Sequence, residues 1–479
     1  MQGDDATAEV APGPDHNKPE TVAQCHEVIE RLSQQLAQTQ ERLAWLEERL
    51  KLDSRNSSKP PSSDGPGRGK RAKRRVSGRR RGGQLGHRGT FRALLPEGEV
   101  DRIVECPTAA VCDCGGAVQT DAEAVRHQVF DVPPVRARVE EYRLHAGRCT
   151  ACGRPHRGRL PAGVPSGQIG PRALALIGVL GTRYHLTQGK TRDLLAQILI
   201  LGLDFSLGAI SQAQGKVAQA LYAPVRQAAA TLASAPVVHM DETRYPREGT
   251  SGNWAWAMVA PVGAVFSVLP SRARYVVDDL LGREPEGVVV SDRYAAYGHL
   301  DASRRQLCWA HLLRDFARIA DRAGEPGRLG GWLLACGGVL FRWRAAGKPA
   351  QAFEPLQRRL QRTLERGAQQ TACRRTAATC ANLLRSWPSL WTFLRHPQVP
   401  PTNNDAERAL RPLVLKRKIS GPTRSRRGDD FLARGFSVIE TCRRQGRDAL
   451  DYLHQAVLAW IDKVAAPPLL RQVDPTPTG

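Results

Sequence analysis

The sequence predicts a multidomain α/β protein, and three observations carry the prediction. The chain has 479 residues, enough for about three domains at about 150 residues each. Its N-terminal part repeats apolar residues at heptad spacing, the mark of a long helix. From Ala235 onward, short β-like runs alternate with helical pattern. Lys plus Arg is 70 against 47 Asp plus Glu, a net charge of +23. Such an excess points to a polyanionic partner. No apolar run approaches the length of a membrane span. The first 17 residues hold Asp4, Asp5, Glu9 and Asp15 but no Lys or Arg, unlike a secretory signal. A cytoplasmic, nucleic-acid-binding protein is the expectation.

In chain order, residues 20–52 come first. Val22, Cys25, Ile29, Leu32, Leu36, Thr39, Leu43, Leu46 and Leu50 follow steps of three and four, with no Gly or Pro until Pro60. At 1.5 Å per residue this is a helix of about 45 Å. So narrow a stripe suits a second helix better than a broad core, so a self-associating coiled coil is expected. The alternative is a helix folded back on its own chain. Residues 53–100 read as a basic flexible linker. From Arg68 to Arg92 there are 11 Lys or Arg and no acid. With few apolar residues no core can form there, yet Arg74, Arg75, Arg79, Arg80 and Arg81 should bind DNA phosphates without regard to sequence.

The cysteines cluster next. The chain has 11, an odd number, and five lie between Cys106 and Cys152. Cys149-Thr-Ala-Cys152-Gly153 is a knuckle in which glycine lets the turn tighten around two thiolates. Cys112-Asp-Cys114-Gly-Gly116 is its expected partner, one residue shorter. Residues 101–160 are therefore expected to be a small zinc-binding β unit holding structural Zn²⁺ through Cys112, Cys114, Cys149 and Cys152. Cys106 is an open alternative to Cys112. Val125 to Leu144 suggests a hairpin between the pairs. Residues 161–234 are helical, with Ser206 a candidate N-cap for the last helix. They read equally as a helix-turn-helix reader or as a plain packing unit.

The chemistry lies further on. Pro236-Val-Val-His-Met-Asp241 is a strand ending in a carboxylate. Two more strands should follow at Asn253 to Ala260 and Ala264 to Leu269, then a helix at Tyr275 to Leu281. Gly287-Val-Val-Val-Ser-Asp292 is a buried strand ending in a second carboxylate, and Arg305 to Trp309 fits a fifth strand. Meander, helix, strand, link and strand is the order of a ribonuclease-H-like fold, in which the first and fourth strands are neighbours. The two Asp would then meet. A helix opening at Asn403 or Asn404 adds Glu407. Three converging carboxylates suit a pair of hard divalent cations for phosphoryl transfer, two Mg²⁺ per site with Mn²⁺ as a substitute. Lys416, Arg417 and Lys418 follow on that helix and are placed to hold a DNA strand.

These residues resemble the transposases of the insertion sequence 66 family. The likeness runs through Asn56-Ser-Ser-Lys-Pro-Pro-Ser-Ser-Asp64, Gly82-Gly-Gln-Leu-Gly-His87 and the paired-cysteine segment. It continues in His239-Met-Asp241-Glu-Thr243, Ser291-Asp292-Arg-Tyr-Ala-Ala-Tyr297 and Cys308-Trp-Ala-His311. It ends in Asn403-Asn-Asp-Ala-Glu407-Arg408-Ala-Leu-Arg-Pro412 and Ser437-Val-Ile-Glu-Thr-Cys442. The resemblance implies a DDE-type transposase with Asp241, Asp292 and Glu407 as its triad. It also implies a leucine-zipper start and small accessory partner proteins of the same element. Such a protein would act on double-stranded DNA, both transposon ends and target, as a homo-oligomer in the bacterial nucleoid.

The sequence departs from the family in three places. The first knuckle is Cys-x-Cys, Asp405 stands where glycine is common, and 115 positions separate Asp292 from Glu407. That gap implies a helical insertion at residues 321–399 within a catalytic domain of residues 235–320 plus 400–425. Residues 426–479 form a C-terminal helical segment. Trp332, Trp343, Trp387 and Trp391 read as insertion core rather than as platforms for bases, and Cys308 and His311 as structural support. Two other functions fit the same residues: a ribonuclease-H-like nuclease without strand transfer, and an inactive zinc-containing DNA-binding regulator.

Overall fold

A computed structural model describes residues 21–53, 56–57, 92–121, 124–132, 137–198, 205–250 and 252–471. Arg74, Arg75, Arg79, Arg80, Arg81 and the Gly82–His87 run lie outside them. The helices are α1 (Val22–Leu50), α2 (Pro171–Gly181), α3 (Gln188–Ile198), α4 (Leu207–Ala220), α5 (Tyr222–Ala233), α6 (Arg274–Leu281), α7 (Trp309–Ala320) and α8 (Gly324–Ala345). They continue as α9 (Glu354–Gln369), α10 (Arg374–Arg385), α11 (Trp387–Leu390), α12 (Thr392–Arg395), α13 (Asn404–Ser420), α14 (Arg426–Arg444) and α15 (Ala449–Asp462). The strands are β1 (Ala146–Arg148), β2 (Pro155–Arg157), β3 (Val237–Arg244), β4 (Trp254–Ala260), β5 (Gly263–Leu269), β6 (Val288–Ser291) and β7 (Arg305–Leu307). No helix among the described residues is long and apolar enough to cross a membrane.

The chain divides into two compact units, residues 1–69 with 308–390 and residues 70–307 with 391–479. The first unit is helical. Phe316, Leu329, Leu333, Leu340, Phe353, Leu360, Leu364 and Leu383 are buried in it. A side chain at Gly330 would strike the backbone of Ala320, so only glycine lets α8 approach α7 this closely. Helix α1 belongs to this unit. Its last turn places Glu48 among Arg322 at 3.0 Å, Arg318 at 3.7 Å and Arg375. Buried Asn56 donates to Asp321 at 2.8 Å and to the Lys51 carbonyl. The heptad stripe is not folded back on the chain, since Val22, Ile29, Leu32, Leu36, Leu43, Leu46 and Leu50 are all exposed. Of the insertion tryptophans, Trp343 packs edge-to-face on Phe353, whereas Trp332 is 42% exposed with the Arg366 guanidinium over its ring. The expectation that all four tryptophans are core thus fails at Trp332. The C-terminal stretch of this unit runs from Cys308 to Leu390 and includes α7, which packs on α8.

The second unit centres on a five-stranded sheet in the order β5-β4-β3-β6-β7. β3, β4 and β5 form an antiparallel meander, while β6 lies parallel to β3 and β7 parallel to β6. Val237, Val238 and His239 face Val288, Val289 and Val290 across the β3–β6 pair. β3, with β4 antiparallel on one side and β6 parallel on the other, is the central strand and is mostly buried on both faces. Edge strand β5 would expose unpaired amides, but α14 covers it. The Ser437 hydroxyl accepts from the Phe266 amide at 2.8 Å. The Thr441 hydroxyl accepts from the Ala264 amide and donates to the Ala264 carbonyl, both at 3.0 Å.

Helices α2, α4 and α5 share one apolar core with the sheet, α14 and α15. Ser206 caps α4 by accepting from the Ala209 amide. The hairpin expected at Val125 to Leu144 is displaced, with no strand there among the described residues. It forms instead as β1 and β2, which flank the Cys149–Cys152 turn. A tight turn with a positive-φ glycine brings its own two flanks together, which a longer alternating stretch does not.

Candidate active site

Asp241 lies within β3, which runs three residues further than the sequence suggested, and Asp292 directly follows β6. Because β3 and β6 are hydrogen-bonded neighbours, the two carboxylates emerge on adjacent strands. Each is oriented by a backbone amide. Asp241 Oδ1 accepts from Glu242 N–H at 3.0 Å, and Asp292 Oδ1 accepts from Tyr294 N–H at 2.9 Å. In both cases Oδ2 is left for a ligand. Glu407 comes from the first turn of α13, which packs on β3 and β4.

The electrostatics join the three groups. Desolvation pushes the Asp241 carboxyl well above the usual range, and the charges of Glu242, Asp292 and Glu407 push it further. A carboxyl that feels three others in a poorly solvated site is short of positive charge. Carboxylate oxygens suit a hard divalent cation, although among the described residues these three do not draw their oxygens into one ligand-distance cluster. Asp241, Asp292 and Glu407 are the residues that would hold it.

Asp405 is turned elsewhere. Arg444 donates to both of its oxygens at 2.9 Å. Burial alone would raise its carboxyl, but the Arg444 bonds and charge outweigh it and the net shift is downward. Two positions apart on a helix point about 200° from each other, so an Asp405 clamped by α14 leaves Glu407 on the β3 side.

Three residues that sequence reading passed over build this site. Asn403, at the N-cap position of α13, makes no side-chain bond to its own helix. It is fully buried. Its amide donates to the Met240 carbonyl at 2.7 Å, and its oxygen meets His239 Nδ1 at 3.0 Å. It therefore ties the helix of Glu407 to the strand of Asp241. Burial lowers the His239 pKa, against the Asn403 bond; with the Asn403 NH₂ on the Met240 carbonyl, its oxygen accepts from Nδ1–H. Glu242 is the second residue, buried and bonded to the Tyr297 hydroxyl and to the third, Arg272. An acid next to Asp241, and a Tyr and Arg near the strand ends, were the available signals. A polar residue ahead of a helix reads as a cap, which hid Asn403.

The basic residues after Glu407 divide. Lys416 was expected to meet DNA, but it is buried, and its ammonium donates to the Leu186 carbonyl at 2.7 Å and faces the His185 carbonyl. Burial lowers its pKa to about 8. It closes the turn after α2 and is not presented to a phosphate. Arg417 is half-buried and Lys418 exposed.

The cysteines sit on two turns of matching design. Gly115 N–H donates to Cys112 O, and Gly153 N–H to Cys149 O. Both glycines have positive φ, 86° and 70°, a conformation that strains other residues. Hydrogen bonds from Cys114 and Asp113 lower the Cys112 thiol, and bonds from Cys152 and Ala151 lower Cys149. Thiols drawn toward thiolate suit zinc. Among the described residues, however, the four sulfurs do not gather into one ligand cluster, and Cys106 makes only a long contact to the Val104 carbonyl.

The sequence of residues 166–430 matches the model of the family described as Transposase IS66 family. That stretch is more than half of the chain and contains all three carboxylates. The chain belongs to the IS66 transposase family. Residues 11–93 also match a family of unknown function, DUF6444. Among relatives, the uncharacterized protein y4hP of Sinorhizobium fredii (strain NBRC 101917 / NGR234) is 26% identical over 396 residues. That match covers 73% of this chain and 70% of the relative. The uncharacterized protein y4jD of the same organism is 25% identical over 392 residues, covering 74% and 75%.

Proposed function

We propose that this IS66-family protein is a DDE-type transposase with a ribonuclease-H-like catalytic domain. In this reading it binds the terminal inverted repeats of its element, cleaves at their 3′ ends and joins those ends to target DNA. Two observations support the reading: neighbouring strands β3 and β6 bring Asp241 and Asp292 alongside, and the charges of Asp292 and Glu407 help raise the Asp241 carboxyl. Two Mg²⁺ ions, or Mn²⁺ in their place, would supply the positive charge that offsets the pentavalent phosphate and lowers the pKa of the attacking hydroxyl.

The chain's own part is positioning. Glu242 and Tyr294 amides hold one oxygen of each Asp, and Asn403 fixes α13 so that Glu407 faces β3. Arg444 keeps Asp405 out of the pocket. In-line attack depends on such preorganisation more than on any covalent step.

Three further parts belong to the reading. The exposed apolar stripe of α1 pairs with that of a second copy, making a homo-oligomer. The two cysteine turns close on one structural Zn²⁺ through Cys112, Cys114, Cys149 and Cys152, and the basic segment with Arg74, Arg75, Arg79, Arg80 and Arg81 binds DNA backbone.

The test uses duplexes copied from the DNA flanking the gene. Wild type should cut them and join a pre-cut end to plasmid. Glu407→Gln should abolish both while binding DNA normally, and Asp405→Asn should retain most activity. An active Glu407→Gln beside an inactive Asp405→Asn would reverse the assignment. Cutting without joining would make the protein a nuclease.

A further inference from the structure

We propose that Arg272 is a phosphate-binding residue at the edge of the carboxylate site, held ready for a backbone phosphate of the DNA strand being processed. The proposal rests on the transposase reading only in taking DNA as the ligand.

The side chain is fixed from several directions. Its Nε and Nη2 donate to Glu242 Oε1, while Glu242 Oε2 accepts from the Tyr297 hydroxyl. Its Cζ lies 3.5 Å from the Tyr294 ring centroid and 4.7 Å from that of Trp254. The backbone on its N-terminal side is anchored too, since Trp256 Nε1 donates to the Ser271 carbonyl at 3.1 Å. A long side chain normally loses rotamer freedom on binding an anion; here that cost has been met by folding.

Its supports are also those of the catalytic groups. Glu242 directly follows Asp241, and its amide orients that carboxylate. Tyr294 stacks on Arg272 while its own amide orients Asp292. Through Tyr294, the guanidinium is tied to the segment that carries Asp292.

Charge explains why a cation is needed at this point. Four carboxylates, at Asp241, Glu242, Asp292 and Glu407, repel a polyanion. Arg305, by contrast, is buried, and it donates to the Ser291 hydroxyl and the Asp292 carbonyl. An Arg serving only to neutralise Glu242 would be expected to share its burial. The Glu242 side chain is 1% exposed and that of Arg272 30%. The pair with Glu242 leaves Nη1 outside it, on a guanidinium that reaches solvent.

The experiment is a coupling measurement by equilibrium binding. Duplexes copied from the flanking DNA carry one neutral methylphosphonate at a time around the cut end, and each is titrated with wild type and Arg272→Gln. Arg272→Gln should weaken binding to the unmodified duplex about tenfold, the worth of one charge-assisted hydrogen bond. At one phosphate the methylphosphonate should cost wild type about as much and the variant nothing further. Penalties that multiply independently at every phosphate would overturn the proposal. If Arg272→Gln does not fold, Arg272→Lys, which keeps a cation beside Glu242 but loses the planar stack, carries the same comparison. Because binding is read without chemistry, a wild-type protein that fails to cut DNA would count against the transposase reading and leave this result standing.

Discussion

Asn403→Ala tests how the site is held together. The wild-type side chain is fully buried and bonds the Met240 carbonyl at 2.7 Å and His239 Nδ1 at 3.0 Å. Alanine removes both and leaves two buried polar partners unpaired. Each orphaned group costs about 1–3 kcal/mol, so the local loss should be about 2–6 kcal/mol. No cap bond is lost, because the Asn403 side chain makes none. The damage should therefore be local to β3 and the first turn of α13. Hydrogen exchange read by mass spectrometry suits this, since about 1.4 kcal/mol of opening free energy is tenfold in rate. Amides from His239 to Glu242 and at Ala406 and Glu407 should exchange about a hundredfold faster. Helix α9, in the other unit, should be unchanged. DNA cleavage at matched occupancy should fall by more than tenfold, because a displaced Glu407 misplaces the reacting groups. Unchanged exchange at these amides would refute the reasoning, whatever the cleavage result.

Lys416 supplies a pH prediction. Its folded pKa of about 8 lies below the unfolded value of 10.5, so the unfolded chain binds more protons in that window and stability rises with pH there. Relative to Lys416→Met, wild type should gain up to about 3 kcal/mol between about pH 7 and about pH 10, measured by urea unfolding; a flat difference would mean that the ammonium is solvated. Lys416→Gln should also leave the salt slope of DNA binding unaltered, whereas a slope reduced by about one would mean a phosphate contact. Protein purified without chelator should hold about one zinc per chain, lost in Cys149→Ser and kept in Cys25→Ser; metal content near zero would end the zinc proposal. Removing residues 1–52 should lower the mass seen by light scattering, and an unchanged mass would count against pairing through α1.

Much of this protein was legible in its sequence. Period-two runs ending in Asp241 and Asp292 gave the strands, and their order placed β3 beside β6, because hydrophobic period and turn residues act locally. The helix bearing Glu407 was legible from its polar start. Heptad spacing likewise fixed α1. What these patterns lack is any record of side-chain partners distant along the chain. Asn403 bonds residues 163 and 164 positions away, and Asp405 is clamped by Arg444 across 39. Lys416 reaches back 230 positions to Leu186, so a residue that looks like one of a basic cluster is a buried strut. The tie of Glu48 to Arg322 and Arg375, and the exposure of Trp332 among tryptophans otherwise suited to a core, were equally invisible. The sequence by itself determined which elements form and which faces are apolar, since propensity and periodicity are properties of neighbours. Only the tertiary structure decided which charges are buried, which are paired and which reach solvent, because desolvation and hydrogen bonding depend on what the fold brings alongside.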